Sequence, residues 1–271
     1  MLNRAIIFGG TRGVGYEIAK SLSRKGNTEL IFTGRDIENV MEIEKKFEKN
    51  VLGMELDMSC TTSIENFKAK VSRIKFEPNI LVFNAGYLSL NQKEKDKNIE
   101  KLFKVNATAP IMLTEHFLND MKKNNFGHII FNSPEYKIDQ KIEFMTPYMQ
   151  SKLAQTTYMK SLSYILRNKN ISCNSIWTKF PLWTDAIKMR NIGKKDSCVD
   201  PVILADVVDE IIYNEDPKYF KGNNILDYEY LKKKKINIEK YYLGSETESL
   251  DELFYHHLTD RLKSKKYQYN F

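Results

Sequence analysis

Residues 4 to 15 read R-A-I-I-F-G-G-T-R-G-V-G, a short apolar run that ends in a glycine-rich loop. A run of this length and composition predicts a buried strand of a parallel sheet. Gly9, Gly13 and Gly15 would allow a tight turn and a close approach of the backbone to a pyrophosphate at the start of the next helix. A flexible turn is the alternative, but the position between a predicted strand and a predicted helix favours a dinucleotide-binding loop.

The same alternation of strand and helix continues along the chain. Apolar runs predict strands, and apolar positions at helical spacing predict the helices between them, over residues 29–33, 36–49, 51–56, 61–76, 80–83, 99–123, 127–132, 171–177, 201–213 and 223–227. This order predicts an α/β protein with a single doubly wound parallel sheet, the Rossmann fold, in residues 1–227. Residues 228–271 are lysine-rich, and Ser249-x-x-Glu252 then opens an amphipathic helix. We therefore expect a C-terminal helical appendage that packs on the core or on a partner subunit.

A second stretch, T-P-Y-M-Q-S-K at residues 146–152, carries the candidate chemistry. Thr146 and Pro147 form a typical helix start, which places Tyr148 and Lys152 four residues apart on one helix face. A neighbouring ammonium stabilises a phenolate and lowers the pKa of the phenol. Such a tyrosine can exchange a proton near neutral pH, as carbonyl reduction or alcohol oxidation requires. The pair alone is equally compatible with a surface helix, and the glycine-rich loop decides between the two interpretations.

Composition narrows the class of protein. The 271 residues carry a formal net charge of +7, which is compatible with binding to nucleic acid or anionic lipid. The lysines are scattered, however, and the only dense run is at residues 232–235, without an aromatic-basic platform beside it. A solvated basic surface and a nucleotide phosphate as the anionic ligand are the favoured interpretations, and we expect no nucleic-acid partner.

Cysteine and histidine positions argue against a disulfide framework and a metal centre. Cys60, Cys173 and Cys198 show no C-x-x-C spacing, and the four histidines form no ligand pattern with them. The apolar run at the N-terminus is too short for a signal peptide, and no stretch is long and apolar enough to span a bilayer. We therefore expect a soluble cytoplasmic protein.

With its glycines spaced G-x-x-x-G-x-G, the chain resembles the short-chain dehydrogenase/reductase family, and further motifs of that family follow in order between residue 4 and about residue 227. The resemblance implies contacts with a nicotinamide cofactor from the glycine-rich loop, the acid that faces adenine, the N-A-G motif and a threonine that holds the carboxamide. These residues are Gly9, Thr11, Arg12, Gly13, Val14, Gly15, Asp57, Asn84, Ala85, Gly86 and Thr184. Phe83 stands where the family usually has another asparagine.

The family resemblance also assigns the catalytic residues. Tyr148 would be the general acid and base, and Lys152 would lower its pKa and bind the nicotinamide ribose. Asn106, in V-N-A-T-A-P, would hold a water that links Lys152 to solvent. Family members usually form dimers or tetramers through the helices at Asn106 and Tyr148, so a homodimer or homotetramer is expected.

Cofactor choice can be argued from the end of the second strand, where the sequence is Thr33-Gly34-Arg35. A site for NAD would place a carboxylate here to bind the ribose 2′-hydroxyl. Arg35 and the nearby Arg12 instead suit a 2′-phosphate, which a guanidinium binds through two hydrogen bonds. NADP(H) is the predicted cofactor. The alternatives are that Asp36 reaches the ribose, or that Arg35 is a solvated turn residue.

The catalytic serine is displaced in this sequence. The family's usual position falls on Pro134, and Ser133 lies one residue earlier. F-N-S-P-E resembles an S-P variant found in the hydroxysteroid-dehydrogenase-like subgroup. Two other segments, I-W-T-K-F-P-L-W-T and the F-x-G-N at residues 220–223, also resemble that subgroup. Nothing in the chain resembles the lipid-binding module of its larger members. We predict that Ser133 hydrogen-bonds the substrate oxygen within direct or one-water reach of the Tyr148 hydroxyl. The alternative is that Ser133 merely ends its strand and the site is impaired.

Together these features predict an NADP(H)-dependent oxidoreductase that interconverts a carbonyl and an alcohol. Aromatic and apolar side chains in the two loops that flank the site suggest an apolar substrate, although loop aromatics equally often serve packing. They are Tyr136, Phe144, Trp177, Phe180, Trp183 and Met189. Thr178 and Lys179 replace the family's Pro-Gly. A catalytically impaired redox sensor that only binds NADP(H) is the alternative function.

Overall fold

The computed structural model describes residues 2–47, 50–88, 95–134, 146–188 and 194–245. Within them, seven parallel strands form one sheet in the order β3-β2-β1-β4-β5-β6-β7. The strands are β1 Asn3–Phe8, β2 Thr28–Gly34, β3 Val51–Glu55, β4 Ile80–Phe83, β5 Gly127–Asn132, β6 Ile171–Trp177 and β7 Asn224–Leu226. The predicted doubly wound α/β fold is confirmed.

Helices cover both faces of the sheet. They are α1 Gly13–Ser23, α2 Ile37–Glu44, α3 Thr61–Arg73, α4 Lys95–Phe103, α5 Ala109–Asn124, α6 Thr146–Ile165, α7 Asp185–Lys188, α8 Val202–Asn214 and α9 Asp227–Lys233. One buried cluster joins the sheet to α1 and α8, and the other joins it to α3, α5 and α6. Alternate side chains of each central strand point to opposite faces, which is why these strands are apolar throughout.

The helix predicted over residues 99–123 is divided in the structure. A π-helical turn, Lys104–Thr108, separates α4 from α5 and contains Asn106. Pro110 has no N–H to donate to the carbonyl four residues earlier, that of Asn106, so the regular α-helical hydrogen bond cannot form there. Turns of this kind occur often at functional sites.

The residues that follow β7 pack on the core as far as the structure describes them. Leu231 has no exposed surface and Tyr241 is 2% exposed, and both belong to the cluster beneath α8. The amphipathic helix predicted from Ser249 lies outside the described residues. The boundary between residues 227 and 228 stays a prediction, while α9 was not expected from the lysine-rich sequence.

The sheet order reverses between β1 and β4, because β2 follows β1 on one side and β4 lies on the other. In open α/β sheets, ligands bind beyond the carboxyl ends of the strands at such a reversal. No helix in the described part of the chain has both the length and the apolar character needed to cross a membrane.

Candidate active site

The glycine-rich loop after β1 lies at this reversal and is too crowded for side chains. Gly9 and Gly13 have φ angles of +86° and +55°, which are accessible mainly to glycine. A Cβ at Gly9 would lie 2.8 Å from Ala85, and one at Gly15 would overlap the Gly9 carbonyl oxygen. The loop therefore forms a bare backbone cradle that opens into α1. No acidic residue lies in the first turn of that helix, so its N-terminus suits a phosphate.

A chain of side-chain amides ties the cradle to the neighbouring strands. Asn132, the last residue of β5, donates from Nδ2 to Asn84 Oδ1 at 3.0 Å. Asn84 in turn donates from Nδ2 to the Gly9 carbonyl oxygen at 3.1 Å. The carboxyl ends of β5, β4 and β1 are thus fixed relative to one another. Asn132 was not among the predicted site residues; its one signal in the sequence is a polar side chain at the end of a buried strand, level with Asn84.

The candidate adenosine side of the site lies at the ends of β2 and β3. Arg35 is exposed there. Asp57 accepts hydrogen bonds from the Ser59 N–H at 2.8 Å and the Ser59 hydroxyl at 2.7 Å. Burial raises the pKa of Asp57, but the bonds from Ser59 and the charges of Arg35 and Lys101 outweigh it, so the pKa lies below its usual value. Asp57 therefore stays an ionised acceptor at neutral pH.

Asp36 has another function in the structure than binding a ribose. Its Oδ1 accepts from the backbone N–H groups of Glu38 at 3.0 Å and Asn39 at 3.3 Å, so it caps α2. This engagement argues against the alternative in which Asp36 binds the ribose, and it leaves Arg35 as the charged residue that follows β2.

The loop after β6 covers the cradle from the other side. The Thr184 Cγ2 atom lies 3.4 Å from the position that a Cβ of Gly13 would take. Next to it, Arg12 Nη1 and Asp185 Oδ2 form an ion pair at 3.8 Å, with both side chains largely in solvent. Asp185 was not expected at this site, since nothing in the sequence places residue 185 beside residue 12. An exposed pair at this distance contributes little and can exchange for a stronger anion.

The Tyr148 and Lys152 pair lies on the first two turns of α6. Tyr148 is half-buried, whereas Lys152 is 2% exposed and donates from Nζ to the Asn132 carbonyl oxygen at 2.8 Å. Burial lowers the pKa of Lys152 to about 8. A buried cation beside a phenol is the arrangement that favours phenolate, because little solvent screens its charge.

Asn106 connects the π-helical turn to α6 and to the loop after β4. Its Nδ2 donates to the Tyr87 carbonyl and to Ser151 Oγ, both at 2.9 Å, and its Oδ1 accepts from the Tyr87 N–H at 2.7 Å. Both donors of the amide are thereby used. The water that Asn106 was expected to hold would have to donate to an oxygen of this residue, and this role stays a prediction.

Gly86 brings these groups together. A Cβ at this position would lie 3.4 Å from Lys152 Nζ and 3.7 Å from Asn106 Oδ1. The N-A-G loop, Asn106 and Lys152 therefore meet around one small volume at the ends of β4 and β5. A Cβ at Gly86 would reach van der Waals contact with the ammonium, and a larger side chain would fill the volume that glycine leaves open.

Ser133 has a different environment from the one expected of a substrate-binding hydroxyl. The side chain has no exposed surface, and its Oγ lies 2.9 Å from Thr156 Oγ1, one turn beyond Lys152. Thr156 Oγ1 also lies 2.6 Å from the Pro134 carbonyl, which can only accept. The Thr156 proton therefore goes to Pro134, and Ser133 is left to donate to Thr156. The expected contact with substrate stays a prediction, and this geometry favours a positioning role at the junction of β5 and α6.

The aromatic residues expected to line a pocket divide into two groups. Phe180 is 9% exposed and packs on Tyr228 and Tyr242, so its ring serves packing. Trp177 and Trp183 are half-buried at the ends of the loop after β6. The remaining three, Tyr136, Phe144 and Met189, lie outside the described residues. Of the described members of this set, Trp177 and Trp183 therefore stay the candidates for an apolar lining.

Comparison with known protein families gives a match over most of the chain. A family model described as short chain dehydrogenase matches residues 3–191. A curated relative, the 3-oxoacyl-(acyl-carrier-protein) reductase FabG of Buchnera aphidicola, is 29% identical over 236 residues, which cover 82% of this chain and 93% of that protein. An uncharacterised oxidoreductase of Saccharomyces cerevisiae is 28% identical over 65% of this chain, which spans only 56% of the yeast protein. The L-rhamnose 1-dehydrogenase (NADP(+)) of Thermoplasma acidophilum is 28% identical over 64% of this chain and 70% of that protein.

Solved structures show the same fold. A short chain dehydrogenase of Mycobacterium thermoresistibile superposes with a TM-score of 0.79 at 22% identity, covering 91% of this chain and 93% of its own. A 4-hydroxyisoleucine dehydrogenase complexed with NADH superposes with a TM-score of 0.69 at 19% identity, over 83% and 96% of the two chains. The resemblance to the hydroxysteroid-dehydrogenase-like subgroup is narrower than these matches and stays a prediction.

Proposed function

Because the chain belongs to the short-chain dehydrogenase family, we propose that it is an NADP(H)-dependent oxidoreductase that interconverts a carbonyl and an alcohol. The observation that carries this proposal is the buried ammonium of Lys152, one helical turn from Tyr148 and beside the Gly86 loop. Burying a cation is costly, and a protein that only binds the cofactor would not need the complete set of Tyr148, Lys152 and Asn106. Perturbed groups of this kind cluster at catalytic sites.

The residues present fit a dinucleotide. In the cradle, a side chain would collide with the backbone at Gly9 and Gly15, and the positive φ of Gly13 favours glycine; the cradle opens onto the acid-free N-terminus of α1. Asp57 lies on the adenosine side and Thr184 on the nicotinamide side, with Thr11, Val14, Asn84 and Ala85 between them. When bound, the nicotinamide supplies or accepts the hydride.

The proton is handled by the residues of α6. In the direction of reduction, Tyr148 would donate its phenolic proton to the substrate oxygen. The positive charge of Lys152 would stabilise the phenolate that remains. Asn106 would stabilise this arrangement through its bonds to Ser151 and Tyr87 and would hold a water for reprotonation. Trp177 and Trp183 support an apolar substrate.

The choice of NADP(H) depends on Arg12 and Arg35. Among the relatives, the rhamnose dehydrogenase is named for NADP(+), whereas the 4-hydroxyisoleucine dehydrogenase was solved with NADH, so the family alone does not decide. Arg35 is exposed and directly follows β2. The carboxylate next to it, that of Asp36, is already engaged as the N-cap of α2. A charged hydrogen bond to phosphate contributes about 1.5–3 kcal/mol.

Replacing Arg35 by aspartate should weaken or reverse the preference for NADPH. Titration calorimetry of the wild type should give an affinity for NADPH on the order of tenfold or more above that for NADH, because only NADPH carries the phosphate. Arg24→Asp is a suitable control, since Arg24 lies beyond the far end of α1. Equal affinities of the wild type for both cofactors would contradict the assignment.

The role of Ser133 can be tested by removing each side of its hydrogen bond. Ser133→Ala and Thr156→Val should each lower kcat modestly, by less than about tenfold. Ser133→Ala deletes one buried neutral hydrogen bond, and Thr156→Val deletes that bond and the one to the Pro134 carbonyl. NADPH affinity should hardly change. A much larger loss of kcat in Ser133→Ala alone would mean that its hydroxyl does reach the substrate, as the sequence predicts.

The function itself is tested by a screen of ketones and aldehydes for NADPH oxidation, with apolar compounds included. Turnover of at least one carbonyl compound is expected. Tight NADPH binding with no turnover across a broad screen would support a redox sensor instead.

We also propose a homodimer or homotetramer through α5 and α6. On α6, Tyr164 and Ile165 are 69% and 63% exposed. Analytical ultracentrifugation would measure the oligomeric state.

A further inference from the structure

The loop at residues 178–184, here called the site loop, depends on a neighbour far along the chain for its path. It leads from β6 to α7 and carries Thr184 against the glycine cradle. The Val199 N–H donates to the Pro181 carbonyl at 2.9 Å, and the Trp183 N–H donates to the Val199 carbonyl at 3.0 Å. Leu182 and Val199 are thus paired in parallel. Residues 198–200 are the segment to which the site loop is attached.

The other side of residues 198–200 is bound by the chain that follows α9. The Asp200 N–H donates to the Tyr241 carbonyl at 2.8 Å, and the Leu243 N–H donates to the Cys198 carbonyl at 3.2 Å. Val199 and Tyr242 are paired in antiparallel orientation. Three short extended segments therefore lie side by side, with the middle one bonded on both sides. A displacement of residues 241–243 would be passed to the site loop through backbone hydrogen bonds.

Side chains of the same C-terminal region hold the site loop directly. The Phe180 ring stands edge-on to Tyr228 and Tyr242, with centroids at 5.4 and 5.9 Å. Asp227 has no exposed surface, and its Oδ1 accepts from the Lys179 N–H at 2.9 Å. The site loop is therefore attached at residues 179, 180 and 181–183 to groups that follow β6 by 20 residues or more.

The anchor of this arrangement is Tyr241. Its side chain is 2% exposed, and its hydroxyl donates to Asp206 Oδ2 on α8, which also accepts from Lys240 Nζ at 3.0 Å. Helix α8 is packed against the sheet through Val207, Val208 and their neighbours, so it is a firm support. The hydrogen bond to Asp206 fixes where residues 241–243 can lie.

We propose that Asp227, Tyr228 and residues 241–243, here together called the C-terminal brace, are a positioning element of the active site, with Tyr241 as its anchor. The brace sets the position of the site loop and thereby of Thr184 and Trp183. It lies beyond residue 191, where the family match ends, so substrate fit depends on a part of the chain that the family model does not cover. The kinetic part of this proposal rests on the proposed function, whereas its structural part does not.

Tyr241→Phe tests the brace, because it removes only the hydroxyl that binds Asp206. Tyr230→Phe is the matched control: Tyr230 also donates its hydroxyl to a carboxylate, Glu215 Oε1 at 2.8 Å, but contacts the Phe220 side of α9. Tyr241→Phe should lower kcat/KM for the carbonyl substrate by about tenfold, since a small misplacement of reacting groups costs that much or more. The Kd for NADPH should change far less, because the adenosine contacts lie elsewhere. Tyr230→Phe should lower Tm by about as much as Tyr241→Phe does, but it should leave kcat/KM unchanged.

Hydrogen exchange read by mass spectrometry gives a measurement that needs no substrate. Tyr241→Phe should speed exchange in peptides that contain the Trp183 and Val199 amides, and Tyr230→Phe should not. Equal exchange and equal kcat/KM in the two variants would overturn the proposal. If no carbonyl compound is turned over by the wild type while exchange changes as expected, the proposed function fails and the structural role of the brace stands.

Discussion

Tyr148→Phe should bind NADPH as the wild type does and turn over carbonyl substrate about two to four orders of magnitude more slowly, the range that general acid catalysis contributes. The substitution removes one hydroxyl and keeps the aromatic ring. Phenylalanine cannot donate a proton to the developing alkoxide, so the loss should fall on kcat. Steady-state kinetics and titration calorimetry measure the two quantities separately.

The same helix supplies a matched control for this variant. Tyr158 lies ten residues further along α6 and donates its hydroxyl to Glu115 Oε1 at 2.6 Å on the outer side. Tyr158→Phe should leave kcat close to that of the wild type. A Tyr148→Phe enzyme with normal kcat would remove Tyr148 from the mechanism, and equal losses in both variants would point to a general effect on α6.

Lys152→Met should abolish measurable turnover and change the pH dependence of stability. In the folded protein, burial lowers the pKa of Lys152 from 10.5 to about 8. Below pH 8 the amine is protonated in both the folded and the unfolded chain, so the full cost of burying the charge is present. Between pH 8 and 10.5 the folded state has lost the proton that the unfolded state still binds, and the wild type gains stability relative to the methionine variant. The gain is on the order of 3 kcal/mol, since each pKa unit corresponds to about 1.4 kcal/mol.

Urea unfolding at pH 7 and near pH 10.5 measures this difference. Lys160→Met is the control, because Lys160 lies on the same helix and donates to the Gly222 carbonyl at 2.6 Å, but is exposed. Lys160→Met should keep the turnover of the wild type, and its free energy of unfolding should depend on pH as that of the wild type does. If the free energies of unfolding of wild type and Lys152→Met differ by the same amount at both pH values, the ammonium is not buried as the structure has it.

The sequence by itself determined the fold and the order of the site motifs. Strand and helix periodicities are local properties, and an apolar run followed by G-x-x-x-G-x-G has few other uses than a strand, a tight turn and a helix. The pairing of Tyr148 with Lys152 was equally predictable, because four residues along a helix bring two side chains to one face. Arg35 could likewise be expected at the end of β2, because the apolar run that predicts this strand ends just before it.

The tertiary structure alone decided where several of these groups point. Ser133 forms a hydrogen bond with Thr156, and Arg12 forms an ion pair with Asp185. Asn106 lies in a π-helical turn that the spacing of apolar residues does not predict. The C-terminal brace depends on Tyr241 meeting Asp206, 35 residues earlier in the chain. Contacts of this kind depend on which elements pack together, and no local pattern of residues encodes the choice. The side chain takes the rotamer and partner that satisfy burial and hydrogen bonding after the sheet has brought distant segments side by side.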